Sequence, residues 1–140
     1  MASVLIVDDQ DMVRKTLRLA LESEGLDVRE AVDGDEALRL YRTSPADVVV
    51  TDIVMPNKEG IETIFELRRS APRVKIIAMS GRDTVDFLDM ARKLGADHVL
   101  RKPFEMRALI ALVQSCLDAK LGPKPSPKPV PKPSGNPSAA

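Results

Sequence analysis

Cysteine and histidine are almost absent from this chain of 140 residues, which contains one of each, Cys116 and His98. A lone cysteine cannot close an intramolecular disulfide, so nothing here requires an oxidising compartment, and a zinc site built on cysteines is excluded. No uninterrupted apolar stretch approaches the ~20 residues of a membrane-crossing helix. The N-terminus has no basic segment, and its apolar run over residues 4–7 ends at Asp8 and Asp9, so it is read as a strand and not as a signal peptide. A soluble, cytoplasmic protein with no membrane attachment is the expectation. An excess of charge is missing as well, because 21 Lys+Arg balance 21 Asp+Glu. Such a balance argues against a nucleic-acid-binding patch.

The balance hides two unlike parts. All 21 acids lie at or before Asp118, whereas Lys124, Lys128 and Lys132 sit in a tail that holds 7 of the 11 prolines. Residues 1–121 therefore carry 18 basic against 21 acidic groups, and the segment from Gly122 onward carries three lysines and no acid. About 120 residues suit one domain with one core and are too few for two ordinary domains. Residues 1–121 are expected to fold, and residues 122–140 to form a Pro/Lys-rich disordered tail or linker. From Pro123 to Pro133 every odd position is proline, a pattern that cannot continue a helix and favours extended polyproline II with solvated lysines. Its open readings are a spacer, a ligand for an aromatic-lined groove, and a basic contact.

Short β-branched runs alternate with helical patterns as far as residue 121. Strands are expected at residues 4–7, 27–31, 48–51, 74–79 and 98–101, three of them nearly continuous apolar runs. Such runs belong to strands buried on both faces, as in a parallel sheet between layers of helices. The last helix shows the complementary stripe, with Met106, Leu109, Ile110, Val113 and Leu117 recurring every three or four residues. Gly25 and Gly95 stand where a left-handed cap would stop a helix, and Asp83 can open the fourth helix as its N-cap. The pattern is (βα)₅, and right-handed crossovers make it a doubly wound α/β sheet with helices on both faces.

In an open parallel sheet the functional groups collect at the carboxyl ends of the strands. Those ends carry Asp8 and Asp9 after the first strand, Asp52 after the third, Ser80 after the fourth and Lys102 after the fifth. Converging carboxylates repel each other unless a cation joins them. A hard divalent ion with oxygen ligands resolves the conflict, and a shallow site with few protein ligands suits Mg²⁺. His98 lies inside a strand, Cys116 on the last helix, and neither a Ser/His/Asp set nor a glycine-rich phosphate loop is present. A carboxylate can still act as a nucleophile toward phosphorus, with metal and lysine absorbing charge on the phosphoryl oxygens, and Asp52 is the natural candidate.

Residues 1–121 resemble the receiver domain of two-component response regulators. The motifs that carry the resemblance are Leu5-Ile6-Val7-Asp8-Asp9, Val50-Thr51-Asp52-Ile53-Val54-Met55-Pro56 followed by Gly60, Met79-Ser80-Gly81, Gly95-Ala96-Asp97 and Lys102-Pro103-Phe104. The resemblance implies a flavodoxin-like five-stranded sheet in the order 2-1-3-4-5. It implies that Asp52 accepts a phosphoryl group from the phosphohistidine of a sensor histidine kinase or a histidine phosphotransfer protein. Asp9 and Asp52 would ligate Mg²⁺ directly, Asp8 mostly through water, with the backbone carbonyl of Val54 as a further ligand. Lys102 would pair with the phosphoryl oxygens, Ser80 would turn its hydroxyl to one of them, and the Lys102-Pro103 bond would be cis. The switched surface would be helix four, strand five and helix five, through which a homodimer is also open. The chain would be a phosphoacceptor with slow self-catalysed transfer and loss, not a separate enzyme.

The sequence departs from that family at several positions. Val99 stands where an aromatic residue usually reports the switch, and His98 beside it is either a substitute switch or a residue packed under a helix. Arg101 shares a strand face with Val99 and would recruit an acidic partner, pair with a second copy, or stay solvated. Val54 and Arg82 occupy positions that tune phosphoryl lifetime, and neither can position an attacking water as a carboxylate or amide would. Glu59 before Gly60 is read as a loop variant.

Two other classes compete. A phosphohydrolase of the haloacid-dehalogenase type needs a second Asp where Val54 stands, and a flavodoxin-like cofactor carrier needs a hydroxyl- and glycine-rich loop where Asp8, Asp9 and Gln10 would repel a phosphate. No output domain follows residue 121 in this sequence. The chain is expected to be either a stand-alone regulator or the front piece of a longer one, with its downstream target open.

Overall fold

A computed structural model describes residues 2–53, 60–81 and 85–120, with the backbone alone for residues 85–88 and 120. Strands and helices alternate throughout: β1 (Ser3–Val7), α1 (Asp11–Glu22), β2 (Asp27–Ala31), α2 (Gly34–Thr43), β3 (Val48–Asp52), α3 (Gly60–Ser70), β4 (Lys75–Ser80), α4 (Val85–Leu94), β5 (His98–Arg101) and α5 (Met106–Lys120). All five strands pair in parallel in the order β2-β1-β3-β4-β5. This is the doubly wound architecture expected from the alternating pattern.

Side chains of successive strand residues point to opposite faces, and that alternation sorts the apolar residues into two cores. Val4, Ile6, Val28, Val48, Val50, Ile77 and Met79 meet Leu17 and Leu21 of α1 and Leu109, Val113 and Cys116 of α5. Leu5, Val7, Ala31, Val49, Ile76 and Ala78 meet Ala37, Leu38, Ile64, Leu67 and Ala91 of α2, α3 and α4 on the other face. Every residue of β3 is buried, so this central strand is covered on both sides. Its last residue is Asp52.

Helix ends follow local chemistry. The Asp33 carboxylate accepts a hydrogen bond from the Glu36 amide at 2.9 Å, and Glu36 reaches back to the Val32 amide at 2.7 Å. This reciprocal capping fixes the start of α2 and contributes about 1 kcal/mol. After α1 the Leu26 amide returns to the Leu21 carbonyl, and after α4 the Ala96 amide returns to that of Ala91. Both turns place a glycine in the left-handed region, Gly25 at φ 82° and Gly95 at φ 126°, as their positions in the sequence predict.

Strand boundaries shift by a residue from the sequence expectation. β4 begins at Lys75 because the Val74 amide turns back to the Ala71 carbonyl. β3 and β4 run on to Asp52 and Ser80 because these pair with Met79 and Arg101. At the opposite edge of the sheet the Arg68 guanidinium donates to the carbonyls of Gly95, Pro72 and Val74 and to Asp97, which also accepts from the Ile76 amide. Val54, Glu59, Arg82, Asp83 and residues 122–140 lie outside the described residues.

Candidate functional site

The carboxyl edge of the sheet is built by extending the strand ladders one residue beyond their ends. The Asp8 amide donates to the Ala31 carbonyl at 3.1 Å, the Ile53 amide to Met79 at 2.9 Å, and the Lys102 amide to Ser80 at 2.7 Å. Parallel register thus lines up Asp8, Asp52, Ser80 and Lys102 along one rim, although up to 94 positions separate them in sequence.

Asp8 is fully buried, Asp52 nearly so, and Asp9 exposed. Carboxylate oxygens of Asp8, Asp9 and Asp52 lie within 4.8 Å of one another. The Asp8 carboxylate is held at both ends, with Oδ1 accepting from the Gln10 amide at 2.9 Å and Oδ2 from Lys102 Nζ at 2.9 Å. The same ammonium lies 3.4 Å from Asp52 Oδ2. Burial works against the charge of Lys102, but the hydrogen bond to Asp8 and the field of Asp52 outweigh it and hold its pKa above the ordinary lysine value. Among the described residues, three carboxylates and the Lys102 ammonium meet at a rim of hard oxygen donors. That donor set, open to solvent at Asp9, fits a hydrated Mg²⁺.

Ser80 ends β4 fully buried, beside β3 and one ladder step from Lys102. The Lys102-Pro103 peptide bond is cis. Val99 is half-buried and packs into the core beneath α2, α3 and α4, while Arg101 is exposed at the end of β5. His98 is half-buried at the start of β5, opposite Ile77 and away from the acidic rim.

Sequence reasoning overlooked Arg14. It reads as one more charged residue of an amphipathic helix, yet it is 8 % exposed. Its Nη1 donates to the main-chain carbonyl of Asp8 at 2.7 Å, its Nε to Glu30 at 3.0 Å, and its Nη2 pairs with Asp11. Glu30 is shared with Arg18 at 2.8 Å, whose hydrogen bond is the main cause of the lowered Glu30 pKa. Beside Lys102, an open depression of about 380 Å³ is lined by Met12, Val13, Thr16, Leu17, Pro103, Phe104 and Met106.

The sequence matches the family described as the response regulator receiver domain over residues 4–114. Relatives include the response regulator MprA of Mycolicibacterium vanbaalenii, 37% identical over 114 residues that cover 81% of this chain and 49% of that protein. MprA of Mycobacterium avium is 35% identical over 114 residues, covering 81% and 50%. The chain thus spans about half the length of the curated relatives it matches. Among solved structures, a receiver domain protein from Clostridium thermocellum superposes with a TM-score of 0.82 at 28% identity, covering 86% of this chain and 98% of that one. A CheY-like receiver domain protein from Methanospirillum hungatei gives 0.83 at 26% identity, covering 86% and 97%. The strand order agrees with these matches, and the chain belongs to the response regulator receiver domain family.

Proposed function

We propose that residues 1–121 act as a phosphorylation switch in which Asp52 takes a phosphoryl group from the phosphohistidine of a sensor kinase or histidine phosphotransfer protein. The observation that carries this reading is the convergence of Asp8, Asp9 and Asp52 with the Lys102 ammonium at the end of a central strand. An Asp52 carboxylate oxygen attacks phosphorus, the new P–O bond replaces the P–N bond, and the leaving imidazole nitrogen keeps the electron pair. Asp9 and Asp52, with the Val54 carbonyl, would hold Mg²⁺ directly and Asp8 through water. When bound, Mg²⁺ would neutralise charge on the phosphoryl oxygens. Lys102, already shared between Asp8 and Asp52, moves its charge toward the phosphoryl oxygens, and Ser80 turns its hydroxyl to one of them.

Phosphorylation replaces a single carboxylate charge with roughly −1.5 to −2 and three strong acceptors. Ser80 and Lys102 are drawn toward it, and because their backbones share a hydrogen bond, β4 and β5 respond together. The signal passes to the surface of α4, β5 and α5, with Arg101 exposed on it and Val99 packed below in place of an aromatic reporter. The apolar depression beside Lys102, where Met12 is 73 % exposed, offers the phosphodonor a place to seat at the rim. The hydrolase alternative lacks support, since Val54 stands where its second acid is needed and the family match covers residues 4–114. Residues 122–140 serve as a tail or linker.

Incubation with acetyl phosphate and Mg²⁺, followed by intact mass, tests the proposal. The wild-type chain is expected to gain one phosphoryl group and Asp52→Asn none. A gain that is absent in the wild type, or that survives Asp52→Asn, would reject the assignment.

A further inference from the structure

An arginine buried beside a cluster of acids is usually counted as charge compensation, but the contacts of Arg14 point elsewhere. Its Nη1 donates to the main-chain carbonyl of Asp8, at 2.7 Å. Two further donors go to Glu30 on β2 and Asp11 in the first turn of α1, not to the carboxylates of the rim. The guanidinium therefore ties three segments together: the end of β1, the neighbouring strand and the helix that follows. A rigid planar fork is suited to this, because it satisfies several acceptors in one geometry with little loss of side-chain freedom.

We infer that Arg14 is a positioning residue for the acidic rim: it fixes the Asp8 carbonyl, and with it the turn that presents the Asp8 and Asp9 carboxylates to a divalent cation. Among the described residues, the turn of residues 8–10 has its other hydrogen bonds at the Asp8 amide, the Asp8 carboxylate and the Gln10 carbonyl, which accepts from the Arg14 amide at 3.1 Å. The Asp8 side chain is held by the Gln10 amide and by Lys102, and the Asp8 amide by Ala31, but the carbonyl that hinges Asp8 to exposed Asp9 is held by Arg14. Residues behind a metal's own ligands typically change its affinity 10–100-fold when removed. Glu30 completes the device. It pairs with Arg14 at 3.0 Å and Arg18 at 2.8 Å, so the guanidinium is itself clamped to β2.

Positioning and charge compensation make opposite predictions, which lets an experiment choose between them. A cation near an acidic cluster repels Mg²⁺, so if Arg14 supplied only charge, Arg14→Ala would tighten Mg²⁺ binding and Arg14→Lys would leave it unchanged. A positioning role demands that both variants weaken it, by about tenfold, because lysine keeps the charge but cannot form the fork. Mg²⁺ alone would be titrated calorimetrically into the full chain and the variants, with thermal melting confirming that each is folded. Should Arg14→Ala fail to fold, Arg14→Lys carries the test, because it keeps the charge and removes the fork.

The inference rests on the proposed function, and amide exchange in metal-free protein separates the two. Positioning predicts that Arg14→Lys accelerates exchange at the Gln10 amide, which is bonded to Asp8 Oδ1, while the amides of Leu17 and Leu21 farther along α1 keep their protection. A wild-type chain that takes no Mg²⁺ rejects the metal site, and exchange at Gln10 then decides the role of Arg14 by itself. Mg²⁺ affinity that is equal or tighter in both variants, or unaltered Gln10 exchange, overturns the inference.

Discussion

A β-carbon on Gly60 would stand 2.1 Å from the carbonyl oxygen of Asp52 and 2.7 Å from the Cα of Ile53. The first residue of α3 is thus pressed against the backbone of Asp52, and the Gly60 amide donates to the Ile53 carbonyl at 2.7 Å. Neither neighbour is the end of a flexible side chain, so any larger residue must push β3 or α3 aside. Gly60→Ala is expected to cost roughly 2 kcal/mol or more in urea unfolding, as overpacking does, and to slow acetyl phosphate labelling of Asp52. Gly25→Ala makes the control: it meets open space at a left-handed φ of 82°, so it should cost about 1 kcal/mol and leave labelling unchanged. Wild-type labelling by Gly60→Ala would show that α3 does not position Asp52.

Carboxylates this close repel one another when no divalent ion joins them, and substitutions at the rim are expected to act with opposite signs. Asp9→Asn removes one carboxylate from a group whose oxygens lie within 4.8 Å, and is expected to raise the metal-free melting temperature by a few degrees, about 1 kcal/mol. Lys102→Ala leaves buried Asp8 without its 2.9 Å ammonium partner and should lower stability by roughly 3 kcal/mol. Added Mg²⁺ should stabilise the wild type and not Asp9→Asn. Thermal melts with and without Mg²⁺ read all three.

Cys116 is 2 % exposed on α5, and burial pushes its thiol up from 9.0 to about 11. The unfolded chain ionises first, so the thiol weakens the fold as pH rises from 9 to 11, by on the order of 2 kcal/mol across that window. Lys102 acts at higher pH: its raised pKa gives stability that is complete below the ordinary lysine value of 10.5 and is lost as pH climbs through the folded value. Denaturant melts of Cys116→Ala should lose the thiol's contribution between pH 9 and 11 and keep the loss that Lys102 begins above 10.5. Native Cys116 should also resist iodoacetamide at pH 8.

A further expectation concerns the lifetime of the phosphoryl group. Val54 and Arg82 offer neither a carboxylate nor an amide to aim a water at phosphorus, so autodephosphorylation should be slow. Loss of radiolabel from purified phosphoprotein measures it, and a half-life of seconds would contradict the reading. Val54→Asp or Val54→Asn should shorten it by about tenfold or more, in line with the contribution of a positioned base.

Much of this was legible in the chain itself. Continuous apolar runs around Val4, Val48 and Val74 announced strands covered on both faces, and glycines 25 and 95 marked helix ends, because these signals depend on a residue and its close neighbours. The members of the rim were legible too, since in a parallel sheet a strand's last residue is a functional position whatever the partner strand. Arg14 was not. Its periodicity within α1 places it on the helix, but its ligands, the Asp8 carbonyl and Glu30, are set by how α1 lies across β1 and β2. Gly60 was legible as part of a motif and not as a contact.

Residue order alone set the alternation of strands and helices, the carboxylates, hydroxyl and lysine at the strand ends, and the contrast in charge between residues 1–121 and the basic proline-rich segment after them. These follow from local pattern and composition, which need no knowledge of distant residues. The folded arrangement alone shows that one ammonium is shared between Asp8 and Asp52, that a buried guanidinium donates to the Asp8 carbonyl, and that α3 begins against the Asp52 carbonyl. The shared ammonium joins segments 94 and 50 positions apart, and even the contact between Arg14 and Asp8, only 6 positions apart, is fixed by strand register and by the packing of helices on the sheet, so no local pattern encodes where such groups will meet.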